Sequence, residues 1–349
     1  MQKLTIGMDL GDKKSFLYAL DSKGQGLEEF TVMNTRKGID GLVEKYKGQE
    51  VEYVMETGTH SRWISDLLRQ SGSKVLVADA RQIALITKSQ KKTDRRDAEM
   101  LARLGRADRK LLHPVHHRSM QNQVDLALIK SRDLLTSNRT NMINYMRGIL
   151  KSFGHRLPSC SGASFHKQAG SLLPEVLQDA LNPVLELIQQ CTDQIKRFEK
   201  QIKRLSETRY PETARVRQIK GVGPITSLAY VLTLEDPGRF RKSRSVGSYL
   251  GMTPRVDQSG NSDKQLRISK AGNSYLRQLL VSCAHYILGP FGEPCHLRAH
   301  GEKIMARGGK NAKKRAVVAV ARKLGVLMHV LWRSGREYDP LIHLKQQAA

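Results

Sequence analysis

The order of apolar patterns in the first 106 residues constrains the fold more than any other feature of the chain. Short runs rich in strand-forming residues at 4–11, 15–21 and 28–34 predict three consecutive strands, separated by Gly- and Lys-containing turns. Beyond them, apolar residues at helical spacing alternate with further strand-like runs. The predicted helices cover residues 36–48, 61–72 and 93–106, and the remaining strands cover residues 51–58 and 74–80.

This β-β-β-α-β-α-β-α order predicts an α/β domain around a mixed sheet, and it is the element order of the ribonuclease-H-like, or RuvC-like, fold. The remainder is mainly helical, with long helical patterns at 118–153 and 312–332. A stretch rich in Gly, Ser and Pro at 154–178 is typical of a connector. We therefore expect an α/β plus all-α chain with domains at residues 1–155, 156–210 and 211–349.

Residues 181–207 carry apolar side chains that step by three and four positions. A pattern sustained over this length favours a coiled coil, which would join protomers into a dimer or tetramer. The alternative is one long amphipathic helix that packs within the monomer. The positions concerned are Leu181, Val184, Ile188, Cys191, Ile195, Phe198, Ile202 and Leu205.

Charge is distributed unevenly along the chain. The net charge is +26, yet residues 1–60 hold 8 basic and 10 acidic residues, so the excess of basic residues lies in the rest. A chain this basic usually meets a polyanion, and nucleic acid is the first expectation. We expect no secretion signal or membrane span, because no apolar run is long enough. The four scattered cysteines indicate reduced thiols in a cytoplasmic protein.

Four carboxylates stand out against this basic background. Asp9 lies within the first strand pattern, Glu56 ends another, and Asp94 and Asp97 share one face of a predicted helix. Strand ends and a nearby helix N-terminus are where α/β folds bring side chains together. Carboxylate oxygens suit Mg²⁺ or Mn²⁺, and a pair of metals ~4 Å apart can flank a phosphodiester. We therefore predict a metal site formed by all four.

Simpler explanations exist for each carboxylate alone. Asp94 and Asp97 could complement the dipole of their helix, and Asp9 could be a buried, hydrogen-bonded acid. The segment GMDLGDKK at 7–14 also resembles the first phosphate loop of actin-like ATPases and sugar kinases. That fold needs a second Asp-Gly loop and an adenosine motif, neither of which we find in the sequence.

Several basic segments are candidates for nucleic-acid contact. Gly221-Val-Gly-Pro224 lies between two helical stretches and resembles a helix-hairpin-helix, whose glycine turn lets backbone N–H groups approach a phosphate. An ordinary corner between helices is the alternative. The predicted nucleic-acid contacts are Arg95, Arg96, Lys220, Gly221, Gly223, Arg239, Arg241, Lys242, Arg255, Lys264, Arg267 and Lys270.

A serine in the segment 251–280 is a candidate nucleophile. Ser259 precedes a glycine in what the sequence suggests is a polar loop, with Arg255 and Lys264 nearby to stabilise charge on a phosphate. Ser-Gly is also a common turn, and no histidine or other base lies near it in the sequence. Chemistry alone therefore leaves its role open.

These stretches together resemble the transposases of the IS one-ten insertion-sequence family, also called DEDD transposases. The resemblance runs nearly end to end, and Asp9, Glu56, Asp94 and Asp97 fall on the family's D, E, D and D positions. The segments that carry it are KTDRRDAEMLARL, IKGVGPITS, VGSYLGMTPRVDQSG and ISKAGNSYLRQLL.

The resemblance implies a recombinase guided by a structured bridge RNA that pairs with both donor and target DNA. It implies that the carboxylates bind Mg²⁺, for which Mn²⁺ can substitute, and that a serine attacks the DNA backbone to leave a phosphoserine link. It implies a coiled coil that joins protomers and sites shared between subunits. It also implies that the protein is located in a bacterial or archaeal cytoplasm and associates with the nucleoid when active. By motif position the serine is Ser259. Family members often carry a doubled serine and further glycines there, whereas this chain has Asp257-Gln258-Ser259-Gly260-Asn261-Ser262. Because of that departure Ser262 remains a minor competitor, and Ser269 a lesser one.

We therefore expect a DNA transposase that excises and inserts a mobile element. A Holliday-junction resolvase would use the same four acids with water as nucleophile. A non-catalytic nucleic-acid-binding protein would need neither the metal nor the serine.

Overall fold

The computed structural model describes residues 3–86, 93–259 and 262–341, without the side chains of residues 84–86, 259 and 262–265. The chain forms two compact units, Met1–His117 and Arg118–Ala349. The domain boundaries predicted at residues 155 and 210 stay predictions. The first unit contains β1 (Lys3–Leu10), β2 (Lys14–Leu20), β3 (Gly26–Met33), α1 (Arg36–Lys45), β4 (Glu50–Glu56), α2 (Ser61–Gln70), β5 (Lys74–Ala78), α3 (Ala80–Ile86) and α4 (Asp94–Ala107).

The strands of the first unit form a five-stranded mixed sheet in the order β3-β2-β1-β4-β5. β2 is antiparallel to both β1 and β3, whereas β1, β4 and β5 run parallel. The predicted mixed α/β architecture is confirmed, and it is consistent with a ribonuclease-H-like domain. Helix α3 is an addition that the sequence patterns did not predict.

The two faces of this sheet are covered differently. On one face, Ile6 and Met8 of β1 pack in a core with Ile39 of α1 and Ile64 of α2. On the other face α4 lies directly on the sheet. A Cβ built on Gly7 would lie 1.9 Å from the carbonyl oxygen of Ala98, so only glycine allows this approach. Side-chain alternation therefore assigns Gly7 and its neighbours two residues away to the α4 face.

The second unit is mainly helical and also contains one two-stranded sheet. Its largest core joins buried side chains of α9, α11 and α13. Its elements are α5 (Met120–Ser152), α6 (Phe165–Gly170), α7 (Glu175–Thr208), α8 (Thr213–Arg217), α9 (Pro224–Leu234), α10 (Ser245–Tyr249), β6 (Pro254–Ser259), β7 (Ser262–Ile268), α11 (Ser274–Leu288), α12 (His296–Ala306) and α13 (Ala312–Ser334).

Helices α5 and α7 form a long antiparallel pair, tied by the ion pairs Asp125–Arg209 and Arg132–Glu199. Within the apolar stripe predicted on 181–207, the buried residues recur every seven positions, at Leu181, Ile188, Ile195 and Ile202. Because it packs against α5 of the same chain, the coiled coil between protomers is not confirmed and stays a prediction. Part of the predicted connector 154–178 is helical, as α6 and the start of α7.

The polar loop predicted around Ser259 is instead a β-hairpin. β6 and β7 pair antiparallel, and Ser259 lies opposite Ser262 at the far end of the hairpin. Among the described residues, no helix is long and apolar enough to cross a membrane.

Candidate active site and nucleic-acid interface

Asp9 and Glu56 are neighbours at the ends of two parallel strands. Met8 pairs with Met55, so continuing the register by one residue brings Asp9 beside Glu56. Asp9 lies two residues after Gly7, and Glu56 lies two residues after Val54, whose side chain faces Gly105 of α4. By alternation both carboxylates therefore lie on the α4 face of the sheet. Both side chains are half-buried there.

Asp97 and Asp94 lie in the first turn of α4. Thr93 caps this helix, because its side-chain oxygen accepts a hydrogen bond from the Arg96 N–H at 3.3 Å. Asp97 directly precedes Ala98, the residue whose backbone rests on Gly7, and it is half-buried. Asp94 lies one turn earlier and is exposed. Three of the four predicted ligands thus belong to the same face of the first unit, and Asp94 lies at its solvent edge.

The donor chemistry of these side chains fits a hard divalent cation, because each supplies carboxylate oxygen. Within residues 3–86, 93–259 and 262–341, however, no group of three or more His, Cys, Asp or Glu side chains is assembled closely enough to hold a metal ion. The sheet therefore brings the carboxylates to one face without closing them into a ligand cluster. The four-carboxylate metal site stays a prediction.

Arg95 and Arg96 follow Asp94 on the exposed side of α4. Arg95 forms an ion pair with Glu29 of β3 at 2.5 Å, and its guanidinium lies 5.9 Å from the ring of Tyr18. These contacts fasten the start of α4 to the β2–β3 edge of the sheet. Nucleic-acid phosphate would have to compete with Glu29 for Arg95.

The Gly221-Val-Gly-Pro224 segment forms a tight turn between α8 and α9. Gly221 has φ +93°, and a Cβ there would lie 2.7 Å from the ring of Tyr286. Gly223 is the N-cap of α9 and Pro224 its first residue. Lys220 forms an ion pair with Glu293, whose hydrogen bond raises the pKa of the Lys220 ammonium. The glycine turn is present, whereas a helix-hairpin-helix is not confirmed.

The basic segment after α9 exposes Arg241 and Lys242 to solvent. Arg239 instead donates to the Leu234 carbonyl at 3.1 Å, and its guanidinium lies over the rings of Phe240 and Tyr249. Arg241 and Lys242 are therefore available to a phosphate backbone, whereas Arg239 also stabilises its own loop.

His329 and Arg333 of α13 hold this segment in place, and the sequence patterns did not single them out. The fully buried His329 contacts the Pro237 carbonyl through Nε2 at 3.0 Å and the Ser243 hydroxyl through Nδ1 at 2.9 Å. Because a carbonyl only accepts, Nε2 carries the proton and Nδ1 accepts from Ser243. Arg333 donates to the carbonyls of Phe240 and Arg241, both at 3.1 Å. Burial lowers the pKa of His329 and favours this neutral form.

The β6–β7 hairpin carries the predicted serine and several predicted cations. Arg255 and Arg267 are exposed on its strands. Lys270 lies just beyond its base, where φ is +56° and the backbone N–H donates to the Gly251 carbonyl at 2.9 Å. The side chains of Ser259, Ser262 and Lys264 lie outside the described residues. Ser269 lies at the base, so the three candidate serines occupy opposite ends of one hairpin.

Comparison with known families matches one segment in the first unit and its continuation, and a second segment in the second unit. A DEDD transposase model of the IS110 type matches residues 6–155, which include all four carboxylates. A model for the IS116/IS110/IS902 transposase family matches residues 213–294, which include the glycine turn and the hairpin. The two matches together cover more than half of the chain, and the chain belongs to the IS110 family of transposases.

Individual relatives bear similar names. A transposase for insertion sequence element IS1111A from Coxiella burnetii is 32% identical over 245 residues, which are 66% of this chain and 64% of that protein. The chain thus spans just under two thirds of that relative's length. A transposase for element IS1328 from Yersinia enterocolitica is 29% identical over 80% of the chain and 82% of its own length. A pilin gene-inverting protein from Moraxella bovis is 24% identical over 98% of the chain and its entire length.

Proposed function

We propose that the chain is a DNA transposase that cuts and rejoins strands to excise and insert a mobile element. The observation that carries the proposal is the placement of Asp9 and Glu56 at adjacent parallel strand ends, on the face where α4 presents Asp97. Family membership supports DNA as the substrate. The pilin gene-inverting relative is named for inverting a gene, and inversion requires both cutting and rejoining.

The four carboxylates Asp9, Glu56, Asp94 and Asp97 hold Mg²⁺ in this proposal, and Mn²⁺ can substitute. The family suggests dependence on a divalent metal, which supplies charge neutralisation at the scissile phosphate. The half-buried position of Asp9, Glu56 and Asp97 keeps competing cations and bulk water from fully screening the site. Exposed Asp94 would be the fourth ligand.

Ser259 is the proposed nucleophile. Its Oγ attacks the scissile phosphorus, and the new Oγ–P bond replaces the bond to the leaving deoxyribose oxygen, which takes up the serine proton. Rejoining reverses the exchange, because a deoxyribose hydroxyl attacks the phosphoserine and Oγ leaves with a proton. Arg255, Lys264, Arg267 and Lys270 stabilise the negative charge that develops on the phosphate. The motif position supports Ser259 over Ser262 and Ser269.

The remaining partners follow from the resemblance. A structured bridge RNA pairs with donor and target DNA, and the basic residues Arg95, Arg96, Lys220, Arg239, Arg241 and Lys242 hold the phosphate backbones. The glycine turn at 221–224 acts as a helix-hairpin-helix, and α7 contributes to a coiled coil that joins protomers. The excess of basic over acidic residues after residue 60 supports nucleic acid as the partner.

A denaturing gel tests this function. The protein is incubated with radiolabelled DNA, its cognate flanking RNA and Mg²⁺, and wild type is run beside Ser259→Ala, with Ser262→Ala and Ser269→Ala as matched controls. A protease-sensitive protein–DNA adduct in wild type and both controls, absent from Ser259→Ala, supports the serine mechanism. Equal cleavage in all four proteins without an adduct would instead identify a hydrolytic resolvase. Salt-sensitive binding without any cleavage would identify a non-catalytic binding protein.

A further inference from the structure

The corner between α12 and α13 carries a concentration of positive charge that none of the proposed roles uses. Residues 303–336 contain no Asp or Glu. Five exposed cations lie on the last turn of α12, on the connecting turn and along one side of α13, and we call them the corner patch. They are Lys303, Arg307, Lys310, Lys313 and Lys323.

The corner patch is not neutralised by the protein itself. Among the described residues, none of its five members forms an ion pair, and the adjacent Glu302 pairs with Arg298 at 2.8 Å. The turn that carries Lys310 is ordered by Arg315, which donates to the Gly308 carbonyl at 2.8 Å. Gly308 and Gly309 have φ +70° and +93°, so the backbone here needs glycine. A defined turn thus presents cations that lack acidic partners.

Cations from both helices converge on one half-buried side chain. Burial, together with the charges of Lys323, Arg307 and Lys303, lowers the pKa of His300. His300, Lys303 and the C-cap Arg307 follow each other at steps of three and four residues, so they lie on one face of α12. Lys323 of α13 adds its charge to the same face. The positive potential that these cations create is not balanced by acidic residues of the protein and therefore attracts an external anion.

Two features of the patch favour duplex nucleic acid as the bound anion. From Lys310 to Lys323 the patch extends roughly 20 Å along α13, which matches about six base pairs of duplex. No Phe, Tyr or Trp lies within residues 303–331, so the patch has no aromatic platform on which unpaired bases could stack. The patch also lies outside residues 6–155 and 213–294, the segments that the family models match.

We propose that the corner patch binds the phosphate backbone of duplex DNA, as a contact surface separate from the glycine turn and the hairpin. The proposal rests on the proposed transposase function, which supplies DNA as the partner. Backbone contact of this kind carries no sequence information, so the patch contributes affinity and orientation to whatever duplex the rest of the protein selects.

The test is the salt dependence of binding by the full-length protein. Fluorescence anisotropy follows a labelled DNA duplex of about 30 base pairs, without Mg²⁺ so that no cleavage occurs. The variant Lys303→Gln/Arg307→Gln/Lys323→Gln is compared with Lys130→Gln/Lys200→Gln/Lys203→Gln. The control removes the same charge from exposed lysines of the α5–α7 pair that also form no ion pair among the described residues. Circular dichroism melts check that both variants fold.

Each lost phosphate contact reduces the slope of log K against log salt by about 0.9. We expect the patch variant to lose roughly 2 to 3 from the slope and the control to lose less than about 0.5. An unchanged slope in the patch variant, or an equal loss in the control, overturns the assignment of DNA binding to the patch. As long as the wild-type protein binds DNA, this outcome does not contradict the proposed transposase function. A loss seen only with an RNA duplex of the same length rejects DNA as the occupant. Wild type that fails to bind DNA at all overturns both proposals.

Discussion

The two groups of proposed catalytic residues, one in each unit, are held in contrasting ways. Asp9 and Glu56 lie on a five-stranded sheet whose α4 face is in direct backbone contact with a helix. Ser259 lies at the end of a two-stranded hairpin whose residues 255–258 are all exposed. The carboxylates are therefore fixed by the packing of one unit, whereas most of the described side chains of the serine-bearing hairpin face solvent.

The largest effect is expected when a carboxylate on the five-stranded sheet is neutralised. Asp9→Asn keeps the shape of the side chain but removes its charge, so we expect strand cleavage to fall by about 10³-fold or more while DNA binding changes little. Single-turnover cleavage and anisotropy measure the two properties separately. Asp12→Asn, an exposed acid just after β1, is the control and should retain activity. Wild-type cleavage by Asp9→Asn would remove this residue from the site.

The second-largest effect is expected when the close contact between α4 and the sheet is disturbed. Gly7→Ala places a methyl group 1.9 Å from the backbone oxygen of Ala98, so α4 must move, and we expect a loss of about 3 kcal/mol or more in unfolding free energy. Urea denaturation measures it. Gly41→Ala in α1 is the matched control, because a Cβ there meets nothing within 4 Å. The control should gain up to about 1 kcal/mol from helix propensity. Equal behaviour of the two variants would contradict the close approach of α4.

A third prediction concerns the basic segment of the second unit. His329→Ala leaves a cavity and frees both the Pro237 carbonyl and the Ser243 hydroxyl, so we expect a loss of about 2–4 kcal/mol. Denaturant unfolding measures the change. His285→Ala is the control, since this exposed histidine on α11 should cost less than about 0.5 kcal/mol. A cost for His329→Ala as small as that of the control would show that His329 does not hold the segment.

The same histidine gives the second unit a pH dependence. Its folded pKa is lowered, so on acidification the unfolded state takes up a proton near pH 6.5 before the folded state does. Stability should therefore fall between about pH 7 and pH 5.5, and His329→Gln should show a shallower fall. Thermal melts across this range measure the slope. His166 and His300, whose pKa values burial also lowers, should leave a residual slope in the variant. Identical slopes for both proteins would exclude His329 as a contributor.

The smallest effect addresses the hairpin. Val256 is 70% exposed, so Val256→Thr should change the unfolding free energy by less than about 0.5 kcal/mol. Urea denaturation of the protein alone measures it, with Val54→Thr in the sheet core as the contrasting variant. A large loss for Val256→Thr would mean that the hairpin is packed against something, and the contrast between the two groups of proposed catalytic residues would then be wrong.

Sequence patterns predicted the first unit well because its elements have clear periods. The strands alternate or are apolar throughout, and each helix has an apolar stripe, so β1–β5, α1, α2 and α4 all fall close to their predicted positions. The strand ends then indicated that Asp9 and Glu56 would be near each other. Helix α3 was missed because it is only seven residues long and because Asp79, whose carboxylate accepts from the Arg81 N–H at 3.1 Å at its start, was assigned to the preceding strand.

The second unit was less predictable for physical reasons. The strands PRVDQS and SDKQLRI are mostly polar and do not alternate cleanly between apolar and polar residues, so the sequence suggested a loop. The stripe on α7 showed that this helix has a partner, but the same pattern serves α5 of the same chain or a second protomer. His329 and Arg333 contact a segment roughly 90 residues away, which no local pattern records.

The contact at Gly7 bears on which substitutions this chain can accept. Main-chain atoms, rather than side chains of variable size, set the separation between the strand that carries Asp9 and the helix that carries Asp97. Substitutions that enlarge or shrink the apolar core beneath the other face leave that separation untouched. In this chain the spacing of the acidic residues is thus insulated from changes of side-chain volume in that core.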